Sequence, residues 1–181
     1  MRTFLTLLMI AAIAVPALAG GNPNVVGYID FDPPNRVHGA LPAPYATIRA
    51  YVCFGDLDMG LTSASFMLSN PGVTCPGVFA PPNFTNLLPG DLAIGNIYTG
   101  ITLSSTGCEP GPEVCVGYLE LFYLGGECLI ELLEHPEYPG WITDCNDPAQ
   151  VDIYSHLSDG TVGYIVPVED ASWGSIKAMY K

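Results

Sequence analysis

The sequence predicts an all-β fold, an antiparallel two-sheet β-sandwich, on three observations. Twenty glycines and seventeen prolines recur between short stretches of β-branched, aromatic and aliphatic residues instead of gathering in one tract. This is the punctuation of many short strands. The stretch Tyr45 to Cys53 alternates Ala46, Ile48, Ala50 and Val52 with Tyr45, Thr47, Arg49 and Tyr51, so one face suits burial and the other, Arg49 included, suits water. Helical spacing occurs in the last segment alone, where Trp173, Ile176 and Tyr180 fall on one face and Ser172 stands at the cap position. Strands this short must hide their apolar faces against each other, and two packed sheets with turns at their ends do so.

Taken in order, the chain opens with Arg2, an apolar run from Phe4 to Val15, and Pro16-Ala17-Leu18-Ala19. That is the n-region, h-region and small-x-small site of a secretory signal peptide, with cleavage expected after Ala19. An uncleaved anchor is the alternative reading. Pro16 and the polar Gly20-Gly21-Asn22-Pro23, however, cut the apolar run short of the roughly 20 residues a membrane-spanning helix needs. No second long apolar segment follows, and no cysteine at the cleavage site offers a lipid anchor. Cleavage leaves 162 residues, the length of one domain with a real core.

The strands expected in that domain are Asn24 to Phe31, Tyr45 to Cys53, Leu61 to Leu68, Thr74 to Phe79, Leu92 to Tyr98, Ile101 to Ser104, Val114 to Leu124, Cys128 to His135, Val151 to Tyr154 and Thr161 to Val166. The runs Val116 to Tyr123 and Cys128 to Leu133 are nearly continuous in apolar residues, as central strands covered on both faces are. Gly125-Gly126 between them reads as the turn of a core hairpin. With no internal repeat and no polar linker, residues 20–168 read as one sandwich domain and residues 169–181 as a Trp-Gly tail forming a short helix.

The mature chain keeps four basic residues, Arg36, Arg49, Lys177 and Lys181, against eighteen acidic ones, a net charge of −14. Such a surface repels phosphate backbones, which excludes nucleic acid as a partner. Acidity also serves solubility outside the cell.

Six cysteines, Cys53, Cys75, Cys108, Cys115, Cys128 and Cys145, all lie downstream of the leader and point to an oxidising compartment. They pair in any of 15 ways. Loop-closure entropy favours neighbours, so the expected bridges are Cys53 with Cys75, Cys108 with Cys115, and Cys128 with Cys145. The spacings of structural zinc sites and the Cys-x-x-Cys of redox sites are absent.

Asp56-Leu57-Asp58-Met59-Gly60 resembles the start of a calcium loop, with Asp56 and Asp58 as weak ligand candidates. The bidentate Glu such a loop needs is missing, and Met67 and Leu68 stand there instead. Apart from calcium there, no cofactor is expected. Asp30 and Asp32, and Asp144, Asp147 and Asp152, are further carboxylate groups that turns and exposed strands also use. His38, His135 and His156 sit in no catalytic motif; there is no Gly-x-Ser-x-Gly, no His-Glu-x-x-His and no phosphate loop. Asn83-Phe84-Thr85 is a glycosylation sequon in a host that glycosylates exported proteins. Tyr45, Tyr51, Tyr138, Trp141 and Tyr154 are candidates for a sugar-stacking surface, weighed against sandwich packing, particularly for Trp141 near Cys145.

The stretches Val26-Gly27-Tyr28-Ile29-Asp30-Phe31-Asp32, Tyr45 to Val52 and Leu61 to Leu68 resemble those of uncharacterised secreted bacterial β-sandwich proteins. So do Gly117-Tyr118-Leu119-Glu120-Leu121, Glu134-His135-Pro136 and Asp144-Cys145. Those proteins end in a Ser/Thr-Trp-Gly-x-Ile/Val-Lys-x-Leu/Met-Tyr tail, matched by Ser172 to Tyr180. More distantly, the strand order is similar to cohesin-like and immunoglobulin-like modules, and the cohesin resemblance implies a partner-binding sheet face. For the tail, the resemblance leaves open a recognition or sorting element and a terminal helix that caps the sandwich, with Trp173 buried.

The function expected is a secreted, non-enzymatic module for protein interaction or adhesion, periplasmic or at the cell surface. Its partner would be a protein or polysaccharide of the envelope or extracellular space, with Tyr138, Trp141 and Trp173 as weak binding candidates. A carbohydrate-binding module using exposed Tyr and Trp is the second reading, and a secreted hydrolase the third.

Overall fold

A computed structural model describes residues 21–163. The expected signal peptide, Trp173 and the expected helix Ser172 to Tyr180 lie outside the described residues, as does the end of the Thr161 to Val166 strand.

The described chain runs β1 (Val26–Asp30), β2 (Gly39–Ala40), β3 (Ala46–Gly55), β4 (Leu61–Leu68), α1 (Pro71–Thr74), β5 (Val78–Phe79), β6 (Phe84–Asn86), β7 (Leu92–Asn96), β8 (Gly100–Glu109) and β9 (Glu113–Tyr123). It continues with β10 (Cys128–Ile130), β11 (Leu132–Glu134), β12 (Trp141–Thr143), β13 (Val151–Ile153), β14 (Ser155–Ser158) and β15 (Gly160–Val162). One sheet has the order β14-β1-β3-β9-β5, with β6 also on β9. A second has the order β13-β12-β4-β8-β7, with β11 also on β4. A small third sheet, β10-β15-β2, lies apart from both orders. The pairing is antiparallel except for β1 with β14 and β15 with β2. The predicted all-β sandwich is the observed one.

The alternation read in β3 sets the layering. Ala50 and Val52 are buried while Thr47 and Arg49 face water, and Arg49 lies over the Tyr118 ring beside Glu120. Inward residues of the first sheet, Val52, Phe54, Leu119 and Leu121, meet Ala64, Phe66, Leu68 and Leu103 of the second in one core. Phe54 packs edge-on against Phe66 and Tyr154, with ring centroids 6.1 and 5.0 Å apart. Such pairs contribute about 0.5–1.5 kcal/mol beyond area burial.

Four sequence expectations need correction. The Gly125-Gly126 hairpin does not form: β9 pairs with β3, β5 and β6, whereas β10 pairs with β15. The two glycines, both at positive φ, turn the chain out of the first sheet against Gly77, where an added Cβ would lie 2.2 Å from the Gly125 carbonyl oxygen. Nor is β9 covered on both faces. Leu119, Leu121 and Tyr123 are buried, but Glu120 and Phe122 between them are exposed. Of the expected strand Thr74 to Phe79, Thr74 is the last residue of α1, and Val78 and Phe79 alone are strand, as β5. Asn70 caps the helix, its Oδ1 accepting from Gly72 N–H, with Pro71 at the start. Finally, the single run Cys128 to His135 splits at Glu131 into β10 and β11, which serve different sheets.

The bridges also differ from the local pairs expected. Cys53 joins Cys115, Cys75 joins Cys128, and Cys108 joins Cys145. Sheet register decides the first: a shift between Val52 and Cys53 sets Cys53 opposite Cys115, Cα to Cα 3.9 Å. The short Cys108 to Cys115 loop cannot close on itself, because β8 lies in the second sheet and β9 in the first. Cys108 meets Cys145 across Gly60 instead.

Candidate functional site: an apolar groove on the second sheet

Along β4, Ala64 and Phe66 point into the core, so Ser63 and Ser65 must face outward. They form the floor of a groove of about 380 Å³ lined also by Ile94, Thr102, Tyr138, Trp141, Thr143 and Val151. The hydroxyls on the floor satisfy one another. Ser63 Oγ donates to Thr143 Oγ1 at 2.7 Å, and Ser65 Oγ and Thr102 Oγ1 lie 2.9 Å apart. The walls are exposed and apolar: Ile94 is 67 % exposed, Val151 47 % and Trp141 41 %. Leu92 and Ile153 extend this face along the two edge strands β7 and β13. No charged side chain lines the groove.

Beside it lies a second hollow of about 280 Å³, which shares Ile94, Thr102 and Tyr138 and adds His135 and Glu137 among its walls. His135 is buried, and its Nδ1 accepts from the N–H groups of Glu137 and Tyr138. That fixes the loop carrying Tyr138. The His135, Tyr138 and Trp141 rings follow one another at 5.0 and 5.3 Å, with Tyr138 and Trp141 inclined by 42°. They form a wall rather than a flat shelf.

Tyr138 and Trp141, both read from the sequence, therefore come together. Other aromatic candidates do not join them. Tyr154 belongs to the core, and burial raises its phenol pKa. Tyr51 packs on Tyr118 across β3 and β9, and Tyr45 stands exposed at positive φ ahead of β3. Sequence reasoning missed Ile94, Ser63, Ser65, Thr102, Thr143 and Val151. Their signal was alternation within β4, β7 and β8, which becomes a groove only once three-residue β12 is placed beside β4.

Asp56 and Asp58 flank buried Leu57. Asp56 lies 3.5 Å from Arg36 Nη2, while Asp58 borders a shallow hollow near Cys108 and Cys145. Among the described residues no group of three or more His, Cys, Asp and Glu side chains converges as metal ligands. The histidines are held separately: His38 Nδ1 lies 2.7 Å from the Ile29 carbonyl oxygen, and His156 Nε2 lies 2.8 Å from Asp159.

Asp144 and Asp152 are buried and hold the start of the described chain. Gly21 N–H donates to Asp144 and Asn22 N–H to Asp152, at 2.8 and 2.9 Å. The Asn22 side chain donates to Gly60 C=O and accepts from Met59 N–H. Burial by itself pushes the Asp144 carboxyl up, but N–H donors of Gln150, Gly21 and Asn146 outweigh it and hold the carboxyl below its ordinary range. Burial, aided by the nearby Asp144 charge, pushes the Asp152 carboxyl up against the pull of Asn22. These carboxylates organise structure.

No family model and no curated protein matches the chain. Solved structures do. The sixth cohesin of Acetivibrio cellulolyticus scaffoldin B, in complex with a dockerin, aligns over 78% of this chain and 99% of its own at 9% identity and a TM-score of 0.53. A type I cohesin from Clostridium thermocellum, also in a cohesin–dockerin complex, aligns over 78% of this chain and 99% of its own at 11% identity and a TM-score of 0.52. A cohesin module from a Clostridium perfringens family 33 glycoside hydrolase aligns over 77% and 96% at 12% identity and a TM-score of 0.52. At these identities the likeness establishes the fold, a cohesin-like sandwich.

Proposed function

We propose that this protein is a non-enzymatic protein-interaction module that works outside the cytoplasmic membrane, at the cell envelope or beyond it. It binds its partner through the outer face of the β13-β12-β4-β8-β7 sheet. The observation that carries this reading is the groove itself, with exposed Ile94, Val151, Trp141 and Tyr138 around a floor whose hydroxyls already satisfy each other. A surface of this kind gains by excluding water from apolar side chains, the usual source of affinity at protein interfaces. It lacks the charge of an ion site. The inclined Tyr138 and Trp141 rings, and their aliphatic neighbours, suit a protein better than the flat apolar face of a sugar. Two of the similar cohesins were solved with dockerins, and the proposal extends protein binding, not that partner, to this chain. Three disulfides agree with an oxidising location.

The test is affinity capture from envelope extract with the oxidised mature protein, in parallel with Trp141→Ala and Ile94→Glu variants and with insoluble polysaccharides. The expected result is one protein retained by the wild type and lost, at least about tenfold in affinity, with either variant, as for central interface anchors. Retention on polysaccharide that vanishes with Trp141→Ala, or protein capture indifferent to both variants, overturns the proposal.

A further inference from the structure

We infer that the Cys108–Cys145 bridge is a thiol–disulfide exchange site: a dithiol without negative charge opens it in the folded protein, and opening it loosens the β12 wall of the groove. The consequence for binding rests on the reading of the groove as the interaction site.

The three bridges differ in access. Cys53, Cys75 and Cys128 are buried, so each of the other two bridges has at least one sealed cysteine. Cys108 is exposed and Cys145 half-buried. Register is the reason. The β4–β8 pairing jumps from Ser63 opposite Ser104 to Leu61 opposite Glu109, and Ser105 to Cys108 bulge out with no partner on β4. A Cβ added at Gly107 on this bulge would meet nothing within 4 Å. Both cysteines also line a hollow of about 560 Å³ with Gly60 and Asp58. A Cβ at Gly60 would lie 3.0 Å from Cys145 Sγ and 3.1 Å from Cys108 Sγ, so glycine leaves that side of the sulfurs uncovered.

Exchange needs an approach to one sulfur and a solvated place for the other to carry charge. One thiolate of the dithiol attacks Cys108 Sγ, the S–S bond breaks, and Cys145 leaves as a thiolate into the hollow. The second thiolate attacks the reductant's own bonded sulfur and releases Cys108. The dithiol ends as a disulfide, and the two protons it lost end, through water, on Cys108 and Cys145. Opening Cys53–Cys115 or Cys75–Cys128 this way would put a thiolate on a buried sulfur. Asp58 is the one charged side chain lining the hollow, and it repels an anionic reductant.

The bridge holds the end of β12. Cys145 N–H donates to Met59 C=O at 3.2 Å, and Thr62 Oγ1 contacts the Thr143 and Asp144 carbonyl oxygens at 3.2 and 3.0 Å. Three-residue β12, which carries Trp141 and Thr143 into the groove, pairs with β4 only at Ile142 and Thr143. Without the bridge, those few bonds alone hold that wall.

The test treats the oxidised mature protein with graded dithiothreitol without denaturant, traps thiols with N-ethylmaleimide and locates them by peptide mass spectrometry. Cys108 and Cys145 should label at a reductant concentration at least about tenfold below that for the other four. Cysteamine should form its mixed disulfide at Cys108, faster than mercaptopropionate, with the gap closing in raised salt. In the selectively reduced protein, and in Cys108→Ser/Cys145→Ser, amide hydrogen exchange at Asp144 and Cys145 should quicken at least about tenfold while β3 and β9 stay protected. Labelling of all six cysteines together, equal rates for the two monothiols, or unchanged exchange at Asp144 and Cys145 overturns the inference. Partner capture separates it from the reading beneath it. Capture indifferent to Ile94→Glu sinks that reading and leaves the labelling result standing, whereas capture that Ile94→Glu abolishes and selective reduction leaves unchanged overturns the redox link alone.

Discussion

At the scale of single residues, Asp144 and Asp152 show how two similar carboxylates come to opposite roles. Asp144 accepts from Gly21, Asn146 and Gln150 N–H groups and from the Asn146 side chain, so its ionised form is the one the fold needs. Asp152 has one backbone donor, Asn22, and an anionic neighbour. A carboxyl whose folded pKa is lowered contributes stability that is present above its unfolded value, near 4, and is lost as pH falls through the lower folded value. A carboxyl whose pKa is raised favours folding below the unfolded value and loses that contribution as pH climbs through the folded one. At pH 7, Asp144→Asn should therefore destabilise by about 1–3 kcal/mol, the cost of leaving buried donors poorly matched. Asp152→Asn keeps an acceptor for Asn22 and removes a desolvated charge, so it should be neutral or mildly stabilising. Urea unfolding of both variants at pH 7 and pH 3 checks this. The Asp144→Asn deficit should shrink in acid, and equal losses from both variants at pH 7 would contradict the assignment.

At the scale of elements, the chain's glycines decide where strands stop and where they lead. Gly77 has φ +88° and sits so close to Gly125 that a Cβ would overlap a backbone oxygen, and no flexible side chain is there to yield. Gly77→Ala should lower stability by at least about 2 kcal/mol. Gly107→Ala, with nothing within 4 Å of the new Cβ, should be neutral; chemical-denaturation midpoints separate the two, and equal midpoints would refute the account. The same contact explains what was legible beforehand. Alternation exposed the β3 faces, and Leu61–Leu68 emerged with its observed bounds, because those signals lie within one strand. Gly125-Gly126 was misread as a hairpin because positive φ serves hairpins and crossovers alike, and the partner that selects the crossover lies 48 residues earlier in the sequence. Only two of the eight residues lining the groove were visible, for a related reason. Tyr138 and Trp141 stand out as residue types, whereas Ser63, Ile94 and Val151 become a site only through the pairing of β12 with β4 and β13.

At the scale of the molecule, closure is long-range. The parallel pair β1 and β14, and the hold of Asp144 and Asp152 on Gly21 and Asn22, join residues 123 and more positions apart. The bridges span separations of 62, 53 and 37. By loop-closure entropy alone each such bridge restricts the unfolded chain by roughly 4 kcal/mol. Domains of this length have total stabilities of about 5–15 kcal/mol, so the bridges together are comparable to the whole margin. The local bridges expected from sequence would close shorter loops and restrict the unfolded chain less. Full reduction with thiol blocking should therefore abolish the cooperative thermal transition near 37 °C, and the pattern should be asymmetric. The Cys53→Ala/Cys115→Ala variant loses a bridge inside the β3–β9 ladder and should fall by about 2–5 kcal/mol while remaining folded. A reduced chain that melts within a few degrees of the oxidised one would show that the core suffices alone, and the inferred oxidising compartment would lose its physical basis.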